Sequence, residues 1–285
     1  MRSESMSGWI RDLFRHRYVL YFLSSREFKV KYKSAFLGFL WAILNPLLMM
    51  IVLSIVFSLL VRGFAEGYES VPFSAFLLCA LVPWTFFAFS FSSGTNSIRD
   101  NSDLIKKVYF PREIVPLATI GANLANFALS VGVLMVFLAV FGVFPNLSIL
   151  FLPFVILIEV VFVTGLVLLT SGLNTMFRDV AYIVEALLMA WFYFTPIFYS
   201  ERFVHTNLQN LVEEGTLTSG QVTLLFRIFR ANPMECVVVS FRRVLIAGEM
   251  PDLNVMLYAS CVSLGMLVLG TAVFRKLEAN LADYV

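Results

Sequence analysis

The chain has 285 residues, of which 59% are hydrophobic and 14% charged, with a mean hydropathy of +0.84; an ordinary soluble domain carries about 25% charge. A water-soluble fold is excluded, and six apolar stretches of about 20 residues leave little length for a separate catalytic domain. The net charge of +2 says little about partners, so only the placement of charge is informative.

Residues 1–35 form a basic segment with eight Lys and Arg. Its longest apolar run, residues 18–23, is shorter than a signal-peptide core, so the segment is expected to stay on the mature protein. Trp9, Ile10, Leu13, Phe14, Tyr18, Tyr21 and Phe22 interleave with Arg11, Arg15 and Arg17, the pattern of an amphipathic helix lying in a membrane interface. Residues 28–33 alternate apolar side chains and Lys with a period of two, which does not continue that helical pattern. Attraction to anionic membrane lipid accounts for the basic charge beside a span, and no nucleic-acid partner is expected.

Residues 36–285 read as one transmembrane domain with six spans. The first, 36–61, is free of charge and carries Asn45 and Pro46 inside it, which predicts a kink near the proline. The others cover about 71–93, with Pro83 inside, 115–144, 148–173, 181–199 and 253–274. Between them, residues 200–252 form an outer segment whose short apolar pieces are interrupted by Arg227, Arg230, Arg242 and Arg243. These pieces read as re-entrant or interfacial helices with their basic residues facing water or headgroups. With the long outer segment set aside, fifteen Lys and Arg lie on one side of the spans and one, Arg62, on the other. The positive-inside rule then places both termini in the cytoplasm. The expected fold is all-α, a polytopic membrane protein without internal repeats.

Intramembrane catalysis or proton coupling needs several ionisable groups within the spans, and the spans offer mainly Glu159. No acid pair, metal-ligand spacing or Ser/His arrangement converges on one span, and Cys79, Cys236 and Cys261 match no metal or redox spacing. No catalytic residue and no metal site is therefore assigned. Glu159 lies about 16 Å along the fourth span, close to the midplane. Either it faces a conduit or senses its opening, or it is a protonated or hydrogen-bonded acid holding helices together. Thr119, Asn123, Asn126 and Ser130 share one face of the third span, suited to water or to a partner helix. Phe73, Phe76, Trp84, Phe87 and Phe91 form a stripe on the second span, and Trp191, Phe192, Tyr193 and Phe194 with Phe198 and Tyr199 cluster on the fifth. Such rings stack on the apolar faces of sugars, or serve lipid contact and helix packing. Residues 96–113 mix Arg99, Asp100, Asp103, Lys106, Lys107, Arg112 and Glu113 between two spans, either a docking surface or a solvated loop.

Five motifs in this order carry a family resemblance. They are Lys31-Tyr32-Lys33-Ser34-Ala35-Phe36-Leu37-Gly38-Phe39-Leu40-Trp41 with Asn45-Pro46; Ser102-Asp103-Leu104-Ile105-Lys106-Lys107-Val108-Tyr109-Phe110-Pro111-Arg112-Glu113; Phe177-Arg178-Asp179-Val180; Thr195-Pro196-Ile197-Phe198-Tyr199; and Asn232-Pro233. Over nearly its whole length the chain resembles the membrane subunit of type 2 ABC exporters for polysaccharides, which move lipid-linked O-antigen, capsule or teichoic-acid chains. The resemblance implies a homodimeric six-helix permease in the bacterial inner membrane, carrying two copies of a separate ABC ATPase. It implies that the amphipathic N-terminus and residues 96–113 lie near that ATPase, with Arg99, Asp103, Lys106, Lys107, Arg112, Arg178 and Asp179 as coupling residues. ATP and magnesium would be held by the partner, in keeping with the lack of a G-x-x-x-x-G-K-S/T phosphate loop here. A lipid-linked glycan would pass between the two copies, guided by Phe73, Phe76, Trp84, Phe87, Phe91, Asn123, Asn126, Glu159, Trp191, Tyr193 and Tyr199. Residues 201–220, with Glu213, Glu214, Gly215 and Gly220, are the least similar and read as an exposed insertion. The alternatives are an ABC exporter of a smaller lipid or drug, a proton-coupled carrier using Glu159, and a membrane-embedded transferase.

Overall fold

The computed structural model describes residues 15–33, 38, 40–60, 65–69, 71–108, 110–144 and 146–278. The sequence features at residues 9–14, 34–37, 39, 62 and 109 lie outside the described residues. Among the described residues every regular element is helical: α1 (Arg17–Tyr32), α2 (Leu40–Leu60), α3 (Phe73–Asp100), α4 (Ser102–Lys107), α5 (Ile114–Val140), a 3-10 turn (Leu147–Phe151), α6 (Leu152–Met176), α7 (Asp179–Phe194), α8 (Glu201–Glu213), α9 (Ser219–Arg230), α10 (Pro233–Arg242), a π turn (Arg243–Ala247) and α11 (Leu253–Glu278). Helices are what such apolar runs must form, because in hydrocarbon each backbone polar group has to be satisfied within its own segment.

The six expected spans fall on α2, α3, α5, α6, α7 and α11. Four helical segments are long and apolar enough to cross a membrane: α3, α5, the 3-10 turn with α6 (Leu147–Met176), and α11. In α2 the apolar stretch is Ile43–Phe57. α7 has only 16 residues, about 24 Å against a hydrocarbon core of about 30 Å. Three boundaries differ from expectation. α3 runs on to Asp100, because its polar last turns pack against α6: Asn174 donates to the Thr95 carbonyl at 3.1 Å and to Asn96 Oδ1 at 3.2 Å, and the Thr95 and Thr170 hydroxyls meet at 2.7 Å. α5 stops at Val140, where Gly142 turns the chain with φ 76°. Residues 28–32 continue α1 as helix despite their period-two pattern, with Leu23 buried beside Ile114 and Ala118 of α5.

The tightest seam joins α6 and α11, which run parallel. A Cβ on Gly165 would lie 2.5 Å from the Leu267 amide nitrogen, and one on Gly270 would collide with the Gly165 carbonyl oxygen. Small residues let two backbones approach in this way, and the contact is van der Waals packing rather than hydrophobic exclusion. α3 is the central post, buried along most of its length against α2, α5, α6 and α10. At one end of the bundle, the basic end, the C-termini of α3, α6 and α11 gather with α1 and α4. There Arg275 pairs with Glu113 at 3.3 Å and the Arg112 guanidinium donates to the Glu278 carbonyl at 3.0 Å. The opposite end carries α8, α9, α10 and the π turn, fastened to the 3-10 turn by Ser148 Oγ donating to the Val244 carbonyl at 2.8 Å.

Candidate functional site

At the basic end, Arg99 closes α3, α4 presents Asp103, Lys106 and Lys107, and Arg178 with Asp179 opens α7; all six are exposed. None of the residues in α4 is buried, so its charges project outward. Arg112 is half-buried and committed to Glu278, which couples the segment after α4 to the end of α11. What sequence reads as a loop over residues 96–113 is mostly helix.

Within the bundle, α1, α2, α3 and α5 border a cavity of about 210 Å³ lined by Lys31, Trp41, Asn45, Phe89, Asn123, Asn126 and Ser130 among others. The Lys31 ammonium donates to Asn123 Oδ1 at 3.2 Å, and Asn123 Nδ2 donates to Ser93 Oγ at 3.0 Å. Lys31 also lies 5.2 Å from the Phe89 ring centre, and desolvation holds its pKa below the ordinary lysine value. Asn123 thus meets a partner helix, while Asn126 and Ser130 border the cavity. Thr119 and Ser130 turn back onto their own helix, donating to the Val115 carbonyl at 3.3 Å and the Asn126 carbonyl at 3.1 Å. The meeting of Lys31 with Asn123 was not legible in the sequence, since a single lysine beside a span gives no sign of the asparagine it meets on a distant helix.

The aromatic residues divide. Trp84, Phe87 and Phe91 are buried and interlock with α6 and α7: Phe87 meets Trp191 edge-on at 5.1 Å and stacks on Phe162 at 6.0 Å, while Trp84 meets Phe192 at 5.6 Å. Phe73 and Phe76 stack at 5.9 Å at the opposite end of α3. Tyr193 is exposed, and Trp191 and Tyr199 are half-buried. The interior rings pack helices in this arrangement. Glu159 is fully buried on α6, and neither carboxylate oxygen has a hydrogen-bond partner among the described residues. The parallel register set by the α6–α11 glycines brings it level with Ser263, also buried and unpartnered.

At the far end two motifs meet. The Asn232 side chain caps α10 by accepting from the Met234 amide at 3.0 Å, accepts from Trp191 Nε1 at 2.8 Å, and donates to Thr195 Oγ1 at 3.0 Å. Pro233 follows at the first position of the helix, where its missing N–H costs nothing. Arg242, expected to face water or headgroups, is instead 1% exposed. Its Nη1 and Nη2 donate to the carbonyls of Pro196 and Ile197, each at 2.6 Å, with longer bonds to Tyr199 and Phe76, and its guanidinium lies 3.4 Å from the Phe76 ring centre. The reason is local: Thr195 and Pro196 end α7, the peptide carbonyls that follow lack helical donors, and Arg242 supplies a planar fork of them. Arg230 pairs with Glu201 at 3.0 Å, and residues 201–213 form a helix with no buried residue.

A family model described as ABC-2 type transporter matches residues 18–211. Along nearly the whole chain, the sequence is 30% identical over 276 residues to the O-antigen export system permease protein RfbA of Myxococcus xanthus, covering 97% of this chain and 98% of that protein. It is 28% identical over 279 residues to a protein of the same name from Klebsiella pneumoniae, covering 97% and 96%. A helical bundle with four segments long and apolar enough to cross a membrane, a group of exposed charges at one end and a motif-built plug at the other, has a sequence matched nearly end to end by these permeases; the chain belongs to the ABC-2 type transporter family and is a multi-pass membrane protein.

Proposed function

We propose that the chain is the membrane subunit of an ATP-driven exporter of lipid-linked polysaccharide of the O-antigen class, working in the bacterial inner membrane as a homodimer with two copies of a separate ABC ATPase. Six helices cross the membrane, α2, α3, α5, α6, α7 and α11, with both termini cytoplasmic, and α9 and α10 re-enter from the outer face. The observation that carries this reading is the match over 97% of the chain to permeases named for O-antigen export. ATP and magnesium belong to the partner, and this chain supplies motion and a path.

The geometry supports a route for that motion. A push on the exposed charges of α4 and on Arg178 and Asp179 reaches α11 through Arg112–Glu278 and Arg275–Glu113, and α11 carries α6 with it through the glycine seam. The surface for a second copy lies on α2 and α7. Val184 is the only buried residue of α7, while Tyr182, Ile183, Leu187, Met189 and Tyr193 are exposed; a helix too short to face lipid alone is accommodated by a protein neighbour. Separation of these helices opens the aromatic interior, and sugar rings then replace ring–ring contacts.

The test is co-purification with a candidate ABC ATPase in lipid nanodiscs, followed by ATP hydrolysis with and without lipid-linked O-polysaccharide. A two-plus-two complex stimulated by glycan is expected. Failure of any ATPase to associate, together with movement driven by a proton gradient alone, would overturn the assignment.

A further inference from the structure

Beside the Asn232 plug, the far end of the bundle holds a second and more polar cleft of about 470 Å³. It lies between the turn at residues 65–69, α8, the last turn of α9, the end of α10 and the π turn. Nothing in the transport route described above uses it. We propose that this cleft binds a neutral, hydroxyl-rich sugar unit, making it an outer-face subsite for the exported glycan; the inference rests on the polysaccharide-exporter reading and adds a place where the chain is held as it leaves.

Three observations carry it. The first is charge. Arg230 pairs with Glu201 at 3.0 Å and Arg243 with Glu249 at 3.6 Å, while Arg242 is committed to backbone carbonyls. With Glu66 and Asp252 also in the lining, the carboxylates balance Arg202, Arg230, Arg242 and Arg243, which gives a polyanion or polycation no net attraction. The same side chains supply planar donors and acceptors in alternation, the complement of ring hydroxyls, each of which donates and accepts. The second is an available donor. Arg202 forms no ion pair or hydrogen bond among the described residues, and it lies over Gly67, where φ is 86° and a Cβ would stand 3.0 Å from the guanidinium. The absence of that Cβ leaves the guanidinium its place in the cleft wall. The third is shape. The half-buried Phe226 lines the cleft, held edge-on by His205 at 5.1 Å and with Arg230 5.8 Å from its ring centre. A ring fixed in this way offers a platform for the C–H face of a pyranose, and the volume is that of a small-molecule site, about 300–1,000 Å³.

The experiment uses the full chain with its ATPase in nanodiscs and two probes, a neutral galactan tetrasaccharide and the same tetrasaccharide sulphated, with binding read by saturation-transfer NMR titration. The parent binds the neutral probe and binds the sulphated one no better. Arg202→Ala weakens the neutral probe about tenfold, the loss of one or two charge-assisted hydrogen bonds; Phe226→Leu weakens it comparably. Arg202 is exposed on a helix with no buried residue, so its removal leaves the fold intact, and equal melting temperatures verify this. No binding by the parent, unchanged binding in both variants, or preference for the sulphated probe overturns the subsite. Those failures leave ATPase association and glycan-stimulated hydrolysis standing, whereas loss of association refutes the exporter reading itself.

Discussion

Replacing Arg242 with Met tests whether the far end is held by its guanidinium rather than by apolar packing. Met keeps most of the volume beside Phe76 but removes every donor, leaving the Pro196 and Ile197 carbonyls, both now bonded at 2.6 Å, without a partner in a buried place. Hydrogen bonds from a charged donor contribute roughly 1.5–3 kcal/mol each, so these two alone account for about 3–6 kcal/mol. Relief of the desolvation of a buried cation returns several kcal/mol of that loss in the limit of perfect repacking. Repacking is not perfect here, because the orphaned carbonyls belong to a chain segment already pinned by Asn232. A net loss of about 2–3 kcal/mol is expected, or roughly 3–5 °C in melting temperature for a chain of this size. Thermal unfolding of the purified permease in nanodiscs, followed by tryptophan fluorescence, reads this directly because Trp191 donates to Asn232 in the same cluster. Arg242→Lys should fall between, since an ammonium is a point donor that cannot span carbonyls on both sides of a planar fork. If Arg242→Met melts with the parent, the carbonyls find other donors and the account of this plug is wrong.

Glu235 gives a prediction in pH. Burial, and then the Glu201 carboxylate, push its pKa from 4.5 up to about 8 against the pull of Arg230. The folded state therefore holds a proton that the unfolded chain releases, so stability from this group is full below about pH 4.5 and falls as pH rises to about 8; Glu235→Gln should flatten that dependence and raise the melting temperature at pH 8 but hardly at pH 5. Gly270→Val places methyl groups against the Gly165 carbonyl and should separate α6 from α11 at a cost of 3 kcal/mol or more, on the order of a severe overpacking mutation, seen as lost assembly with the ATPase; normal assembly would refute the seam as the link. Glu159→Gln keeps the shape of an unpartnered buried carboxyl and removes its titration, so ATP-driven export by this variant should match the parent, and a proton-dependent loss of export would return the carrier reading to first place.

The helices were legible because hydrophobic runs of sufficient length have one solution in a bilayer. What was not legible lay where a polar residue finds a partner far along the chain. Thr95, Asn96 and Ser97 look like a loop beside Arg99 and Asp100, yet they continue α3 because Thr170 and Asn174 meet them from α6. Arg242 looks like a headgroup ligand by its neighbours in sequence, and only the end of α7, more than forty residues earlier, explains its burial. The stripe on α3 is a matter of spacing, and periodicity gives no sign of whether a face meets sugar, lipid or the rest of the protein. The motifs were more informative than the pattern, since Thr195-Pro196 and Asn232-Pro233, far apart in sequence, join through one asparagine side chain.

The parallel glycine seam also bears on how the molecule is made. α6 presents Gly165 and Gly172 to α11, but all of α7 to α10 is synthesised between the two. During biogenesis the grooved face of α6 therefore waits in the bilayer without its mate, exposed to lipid or to a quality-control protein that recognises unpaired membrane helices. Docking of α11 is the late step that removes this degradation signal, so a substitution in the groove that leaves every span inserted can still abolish the mature protein.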